Sequence, residues 1–496
     1  MKIAIISVNM HTKVLNFASP LHTVAFQQFL LQNGIESTVL DYEPCYRGTF
    51  DIRHPLFWYI DHPDSSKEKQ LQLLKQWKEL FYAREKRFDK FQEFIDEHYI
   101  KTDDVWNQDR LDEEDPGFDC YMCVTDILWN RNKNTGFDRG FWLASKCMEG
   151  KKKLAYTPSR GPSSYSLEDD KQILPWLADF DYLSVREEKF KEHLDDLTGL
   201  DIPQLLDPVF FQEREFYEKL AREPENPPER PYVLTYIVMQ NNSRLLKKAG
   251  LFAEQKGCDV IELSEDYLDR DLPEAVHHRT VYDIGVEEWL WYILHAEYIF
   301  TNSFHQCVLS IILQKEFFAG KRNGDKIDSL LDLFDMQGRR IADDNMDTAL
   351  SLPAIDWAPV EERRRALVKE SQDFVLNAIK DLASREHRPL MTPEQLQKQL
   401  EMVDRRITEE QERAARKQAE AAAKLEADRR AREEAEYAGR TPDGRPLPRD
   451  HEEAMDEWNR IKNRPDILKK RVKRKLRNML KDADPEPDYL KKWLKP

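Results

Sequence analysis

Long apolar runs are missing from this chain. No stretch of 18 apolar residues occurs among its 496, which excludes an ordinary membrane-spanning helix. Cysteine is sparse: six residues stand at positions 45, 120, 123, 147, 258 and 307. That scatter suits buried, reduced thiols rather than a disulfide framework. The close pair Cys120 and Cys123 falls on an expected strand, where positions i and i+3 face opposite sides, so it makes a poor metal or redox site. A secretory leader is not expected either, because the IAIISV after Met1-Lys2 is too short for its apolar part. A cytoplasmic location is the resulting expectation. Positive charge is scarce where it would matter for nucleic acid. The net charge is −16, and residues 391–496 hold 27 basic against 23 acidic side chains, which leaves −20 on residues 1–390. Phosphate contacts dominate nucleic-acid affinity, so a body this acidic excludes that class of partner.

What is present is a length of 496 residues, enough for two or three domains, with a hydrophobic fraction of 40% that allows a core and a charged fraction of 34% that makes the surface polar. Strand and helix signals alternate from the start. Lys2–Val8 reads as a buried strand, Pro20–Gln32 as a helix ended by Gly34, and Ser37–Tyr42 as a second strand. Residues 66–100 are charged and helical, and further strands are expected at 118–125, 153–156 and 182–185. This alternation predicts an α/β fold with a parallel sheet. Residues 223–231, EPENPPERP, read as a proline-rich linker. A second α/β set follows, with strands at 232–236 and 259–263 and helices over 242–256 and 286–295. The expectation is therefore two Rossmann-like, doubly wound domains, 1–222 and 232–390, and a charged helical tail over 391–496. Within the tail, 393–437 reads as a long exposed helix laced by i,i+4 charge pairs, its start packed through Leu396, Leu400 and Val403. Residues 465–481 form a basic amphipathic helix suited to an anionic membrane surface, to the acidic body or to a partner.

The stretch 296–313, AEYIFTNSFHQCVLSIIL, carries the most chemistry. A short apolar strand at Tyr298-Ile299-Phe300 breaks at Thr301-Asn302-Ser303, three residues suited to cap a helix, and a helical pattern begins with His305 in its first turn. Unpaired N–H groups and the dipole make such a corner an anion site. Four other segments end expected strands and should converge on the same cleft: the loop with His11, Lys13 and Asn16; Thr125-Asp126-Ile127-Leu128-Trp129-Asn130; Tyr156–Gly161 with Ser159 and Arg160; and Ser184-Val185-Arg186-Glu187. Each residue also has a plain structural reading. His305 alone would be a helix histidine, Arg186 a salt bridge to Glu187 or Asp181, Asp126 a helix cap, and Trp129 a packing residue.

Taken in order, these pieces resemble the polysaccharide pyruvyl transferase family over residues 1–345. Asn16-Phe17-Ala18 stands at an N-Y-G position, Val124–Asn130 at G-S-D-Q-x-W-N, Tyr156–Gly161 at Y-x-x-S-F-G, Ser184–Glu187 at S-V-R-E, Leu206-Asp207-Pro208 at a D-P segment, and Thr301–His305 at T-N-S-F-H. The resemblance implies a fold similar to GT-B glycosyltransferases. It implies transfer of the enolpyruvyl group of phosphoenolpyruvate to two hydroxyls of a surface-polysaccharide or lipid-linked sugar, giving a pyruvate ketal and phosphate. No metal or organic cofactor is implied. His305 then becomes the proton donor and Asp126 the group acting on a sugar hydroxyl, while Arg186, Asn302, Ser303, Ser159, Arg160, Asn16 and Trp129 bind substrate. Val124, Ile127 and Ala18 depart from the family pattern on the acceptor side, and Arg160 replaces an aromatic. A peripheral membrane contact through 465–481 would keep the enzyme near lipid-linked precursors. A glycosyltransferase using a nucleotide sugar and a non-catalytic scaffold are the competing readings.

Overall fold

The computed structural model describes residues 1–7, 15–45, 53, 66–132, 135–161, 164–238, 243–264, 276–321, 324–341 and 347–437. His11, Lys13, the turn expected near 439–448 and the basic helix 465–481 lie outside them. Met1–Arg406 forms one compact unit, and Ile407–Pro496 is assigned to a second.

The first unit is built on two parallel sheets. Six strands make the first: β1 (Ile3–Ile6), β2 (Thr38–Tyr42), β3 (Lys101–Trp106), β4 (Cys120–Val124), β5 (Lys152–Tyr156) and β6 (Tyr182–Leu183), in the spatial order β3-β2-β1-β4-β5-β6. Five make the second: β7 (Tyr232–Tyr236), β8 (Asp259–Leu263), β9 (His278–Val281), β10 (Tyr298–Thr301) and β11 (Phe317–Ala319), in the order β11-β10-β7-β8-β9. Both orders run outward from the first strand and reverse once, so each sheet is Rossmann-like and has a switch point, β1/β4 in one and β7/β10 in the other. The central strands IAII, CYMCV, YVLTY and DVIEL are buried throughout, as parallel strands covered by helices on both faces must be. Burial raises the Cys120 thiol to about 12, in keeping with inert structural cysteines.

Residues 221–231 carry no helix or strand and join the two sheets. The helix after β1, Ala18–Gln32, and the helix after β10, Phe304–Ile312, are buried on nearly every side. The 3-10 turn Pro208–Phe211 packs on both of them. Phe211 meets Phe29 at 4.5 Å between ring centres, and Phe210 stacks on Phe334 at 5.4 Å. One hydrophobic core consequently runs through residues of both sheets. The helix Trp357–Ser384, expected with the second domain, also packs on β5 and on that turn. Ser371 Oγ accepts the Leu206 N–H at 3.0 Å, and Tyr182 donates to Asp381 at 2.8 Å. The segment beyond it is fastened to the first sheet as well: Asp181 accepts from Arg385 at 2.6 Å and sits 2.8 Å from His387.

The helix Pro393–Tyr437 starts against the first unit, with Val403 buried and Leu396 and Leu400 half-buried, as its apolar spacing requires. Residues 408–433 are exposed on every side. Pairs such as Glu426–Arg430 at 2.7 Å supply the i,i+4 support expected of such a helix, worth only ~0.2–0.5 kcal/mol each.

Candidate active site

At the end of β10, the three small polar residues divide their work. Thr301 is the last strand residue and donates to the Tyr236 carbonyl at 2.5 Å. Asn302 clamps the end of β7, accepting from Val238 N–H at 2.8 Å and donating to its carbonyl at 3.2 Å. Ser303 is the helix N-cap, its Oγ accepting from Gln306 N–H. Phe304 and His305 precede the first intrahelical bond, Cys307 N–H to Ser303 C=O at 3.1 Å. Asn302 and Ser303 thus build the corner and spend their side chains on backbone, while His305 carries its functional group.

In the first sheet, β4 ends in a strained turn. Thr125 and Asp126 have φ of +42° and +62°, and Thr157 after β5 has +51°, a region costly for residues with a Cβ. Neighbouring backbone holds the turn: Thr125 N–H donates to Tyr156 C=O, and Ser159 N–H to Asp126 C=O, each at 2.8 Å. β6 delivers Arg186. Beside it Val185 bridges Gln204 in parallel, and Leu205 N–H donates to Val185 C=O at 2.9 Å. That bridge places Asp207 next to Arg186.

Asp207 joins the two sheets. Its Oδ2 accepts from Arg186 Nη1 at 2.6 Å and from Thr125 Oγ1 at 2.8 Å, and it lies 3.3 Å from His305 Nε2. Arg186 also donates to Glu187 at 3.1 Å, and its guanidinium lies over the Phe304 ring at 4.3 Å. Its Nη2, 3.9 Å from Asp126, is buried without a hydrogen-bond partner among the described residues. Such a buried donor calls for a water or a ligand. Asp126 accepts from Ser19 Oγ at 3.4 Å and lies 3.8 Å from His22 Nε2, whose ring is 5.8 Å from that of His305. The group is withdrawn from solvent: Arg186 is 4% exposed, His305 5%, Asp126 7%, Asp207 1% and His22 0%.

Burial at this depth sets the electrostatics. Desolvation alone would raise the Asp207 carboxyl, but His305 and Arg186 outweigh it and hold the group well below its usual range. Asp126 is likewise held low against its burial, by His22 and by the charges of His305 and Lys326. Burial would lower Arg186, yet Glu187, Asp207 and Asp126 raise it further. For His305 burial wins over the attraction of Asp207 and Asp126, and its pKa falls below 6.5.

Several expected binding residues face elsewhere. Trp129 is a packing residue: it is fully buried, stacks on Trp142 at 4.1 Å and donates to the Phe141 carbonyl at 3.0 Å, so no ring face is left for a sugar. Ser159 is buried and its Oγ accepts from Gly161 N–H at 3.0 Å. Asn16 shapes the helix start, its Oδ1 accepting from Ala18 N–H at 3.1 Å. Arg160 lies over Phe190 at 5.3 Å. Asp207 and His22 are not among the sequence candidates for the site, and Thr125 stands in a candidate segment without a role of its own. Asp207 was already visible as part of the D-P segment, and His22 sits one turn into the helix that follows β1, at the switch point. Arg87 adds support, donating to Leu15 C=O at 2.6 Å and Ser264 C=O at 3.3 Å and so tying the two together.

No curated protein matches this chain. Among solved structures, the UDP-GlcNAc 2-epimerase from Neisseria meningitidis bound to UDP-GlcNAc is similar at 9% identity and a TM-score of 0.44, over 77% of this chain and 100% of that one. The putative UDP-N-acetylglucosamine 2-epimerase from Listeria monocytogenes is similar at 9% and 0.45, over 79% and 99%. Identities this low say nothing of the reaction. The family profile described as polysaccharide pyruvyl transferase matches residues 22–319, which span His22, Asp126, Arg186, Asp207 and His305. The chain belongs to the polysaccharide pyruvyl transferase family.

Proposed function

We propose that this transferase takes pyruvate from phosphoenolpyruvate and attaches it as a ketal to a sugar unit of a cell-surface polysaccharide or lipid-linked precursor. The observation that carries this reading is Asp207, which brings Arg186 from one sheet and His305 from the other to a single carboxylate. Phosphoenolpyruvate carries a phosphate and a carboxylate. The Nη2 of Arg186, which has no hydrogen-bond partner among the described residues, and the helix start at Phe304–His305 are two anion-seeking groups on either side of that carboxylate.

In the reaction, protonated His305 gives its proton to C3, turning the methylene into a methyl group and leaving positive charge at C2. One sugar oxygen bonds to C2 and its hydroxyl proton leaves. The C2–O bond to phosphate then breaks, phosphate departs with the electron pair, and the second sugar oxygen bonds to C2 as its own proton leaves. A carboxylate held as low as Asp126 is a weak base. The His22 imidazole beside it is the better acceptor for a hydroxyl proton, with Asp126 as the countercharge. His305 is mostly neutral at pH 7 in the free protein. An arriving polyanion raises its pKa, so substrate binding brings the proton that the chemistry uses.

Calorimetry with phosphoenolpyruvate tests the donor site. Binding with proton uptake, lost in Arg186→Ala, supports the reading, whereas a nucleotide sugar binding in its place would favour a glycosyltransferase.

A further inference from the structure

The second sheet sends a further charged group toward the active site. β11 pairs with β10 so that Ala319 stands beside Thr301, and Gly320 N–H donates to Thr301 C=O at 2.7 Å. The chain therefore leaves β11 beside the corner that carries His305. The helix Lys326–Leu333 follows and packs on the helix Phe304–Ile312. Its start is also tied to the segment after β6. Ser329 Oγ accepts from Glu188 N–H at 3.1 Å and from Gln204 Nε2 at 2.8 Å, and Gln204 donates to Arg186 C=O at 3.0 Å. Asp325 accepts from Lys189 N–H at 3.2 Å. Ser329 and Lys326 are three residues apart on the helix and share a face. Lys326 thus stands on the side turned to Arg186, between the elements that supply Arg186 and His305.

Lys326 is only 8% exposed. An ammonium withdrawn this far needs opposite charge around it. Asp126 supplies some: the Lys326 charge is among those that hold that carboxyl low. Arg186 alone is a poor match for a polyanion. Asp207 at 2.6 Å and Glu187 at 3.1 Å already draw on its charge, and Asp126 lies 3.9 Å away. With His305 neutral, one guanidinium faces three carboxylates, so a donor bearing both phosphate and carboxylate needs another cation. A lysine ammonium is a compact point charge with three rotatable donors, which suits a phosphate whose oxygens point several ways.

We propose that Lys326 is a further substrate-binding residue, which holds the phosphate of the donor and offsets its charge as it leaves. The inference rests on the phosphoenolpyruvate donor proposed above. Titration calorimetry of the full chain with phosphoenolpyruvate and, separately, with inorganic phosphate tests it. Both ligands are expected to bind about ten-fold or more weakly in Lys326→Met and Lys326→Gln. The same loss is expected when Asp126→Asn is also present, because the lysine acts on the ligand and not only on that carboxylate. A cooperative melt without ligand shows that a variant folds, and if one of the two does not fold the other decides. Phosphoenolpyruvate binding undiminished in a folded variant, or a loss that vanishes beside Asp126→Asn, overturns the proposal and leaves the pyruvyl-transfer reading standing. A loss for phosphoenolpyruvate without one for phosphate would put Lys326 on the carboxylate and overturn it too. If phosphate alone binds too weakly to measure, phosphoenolpyruvate decides. Phosphate binding that depends on Lys326 in a chain that ignores phosphoenolpyruvate would uphold the phosphate site and reject the donor reading. Neither ligand binding to the parent chain rejects both.

Discussion

Asp207 shows how one buried carboxylate can organise a site. It is the shared partner of Arg186, Thr125 and His305, and its Oδ1 accepts from Val209 N–H at 3.1 Å to start the turn that packs under both helices. Asp207→Asn keeps the shape but removes the charge, leaving a buried guanidinium with Glu187 and the more distant Asp126 but without its nearest counterion. Breaking a buried pair costs about 3–5 kcal/mol. A urea titration should show a loss of that order together with loss of phosphoenolpyruvate binding, and a loss under 1 kcal/mol would speak against the role given to Asp207. His305 predicts a pH profile. Burial puts its pKa below 6.5, and the proposed reaction uses the acid form, so kcat/KM should rise as pH falls from 8 toward 6. Asp207 and Asp126 are both held low and should not reverse that rise within this range. His305→Gln should flatten the limb apart from the substrate's own titration, and lower the rate by roughly 10²–10⁴-fold. The sequence placed His305 and Arg186 at strand ends, and the structure brings both to Asp207. Trp129, Ser159 and Asn302 misled because each stands in the right segment with its side chain turned to core or backbone, a direction that segment position does not reveal.

Among the elements, the strands that pattern reading missed share a position. β3, β9 and β11 are all sheet edges. β3 and β9 carry polar residues along an exposed edge, reading KTDDVW and HRTV, whereas β11, FFA, is apolar and buried but has only three residues, too few for a pattern. The buried central strands announced themselves as apolar runs. The loop Tyr156–Gly161 belongs to this scale too. Gly161 has φ of +66°, and a Cβ there would lie 2.8 Å from Ile127 Cγ2. Ile127, where the family pattern has Gln, therefore packs on a residue that must stay glycine. Gly161→Ala should cost about 1–3 kcal/mol, and Ile127→Ala in the same chain should recover the steric part but not the backbone strain. Urea titrations of both single variants and the double variant check this. Strict additivity would mean that the two residues do not press on each other.

For the whole molecule, the alternation of strands and helices was enough to anticipate two parallel sheets in series, because parallel strands need covering helices and so write a periodic pattern. What it did not show was the return of the Trp357–Ser384 helix to β5, since an amphipathic helix does not name the surface it will cover. Both sheets contribute to the group around Asp207, so the proposed reaction is one of shared chemistry: donor binding by Arg186, proton delivery by His305, and neither useful alone. Phosphate release from phosphoenolpyruvate, measured with a bacterial glycan or glycolipid extract as acceptor, tests this most directly. The account predicts release that depends on the acceptor and falls at least 10²-fold in both Arg186→Ala and His305→Ala. Acceptor-dependent release that survives either substitution, or no release with any extract, would contradict it.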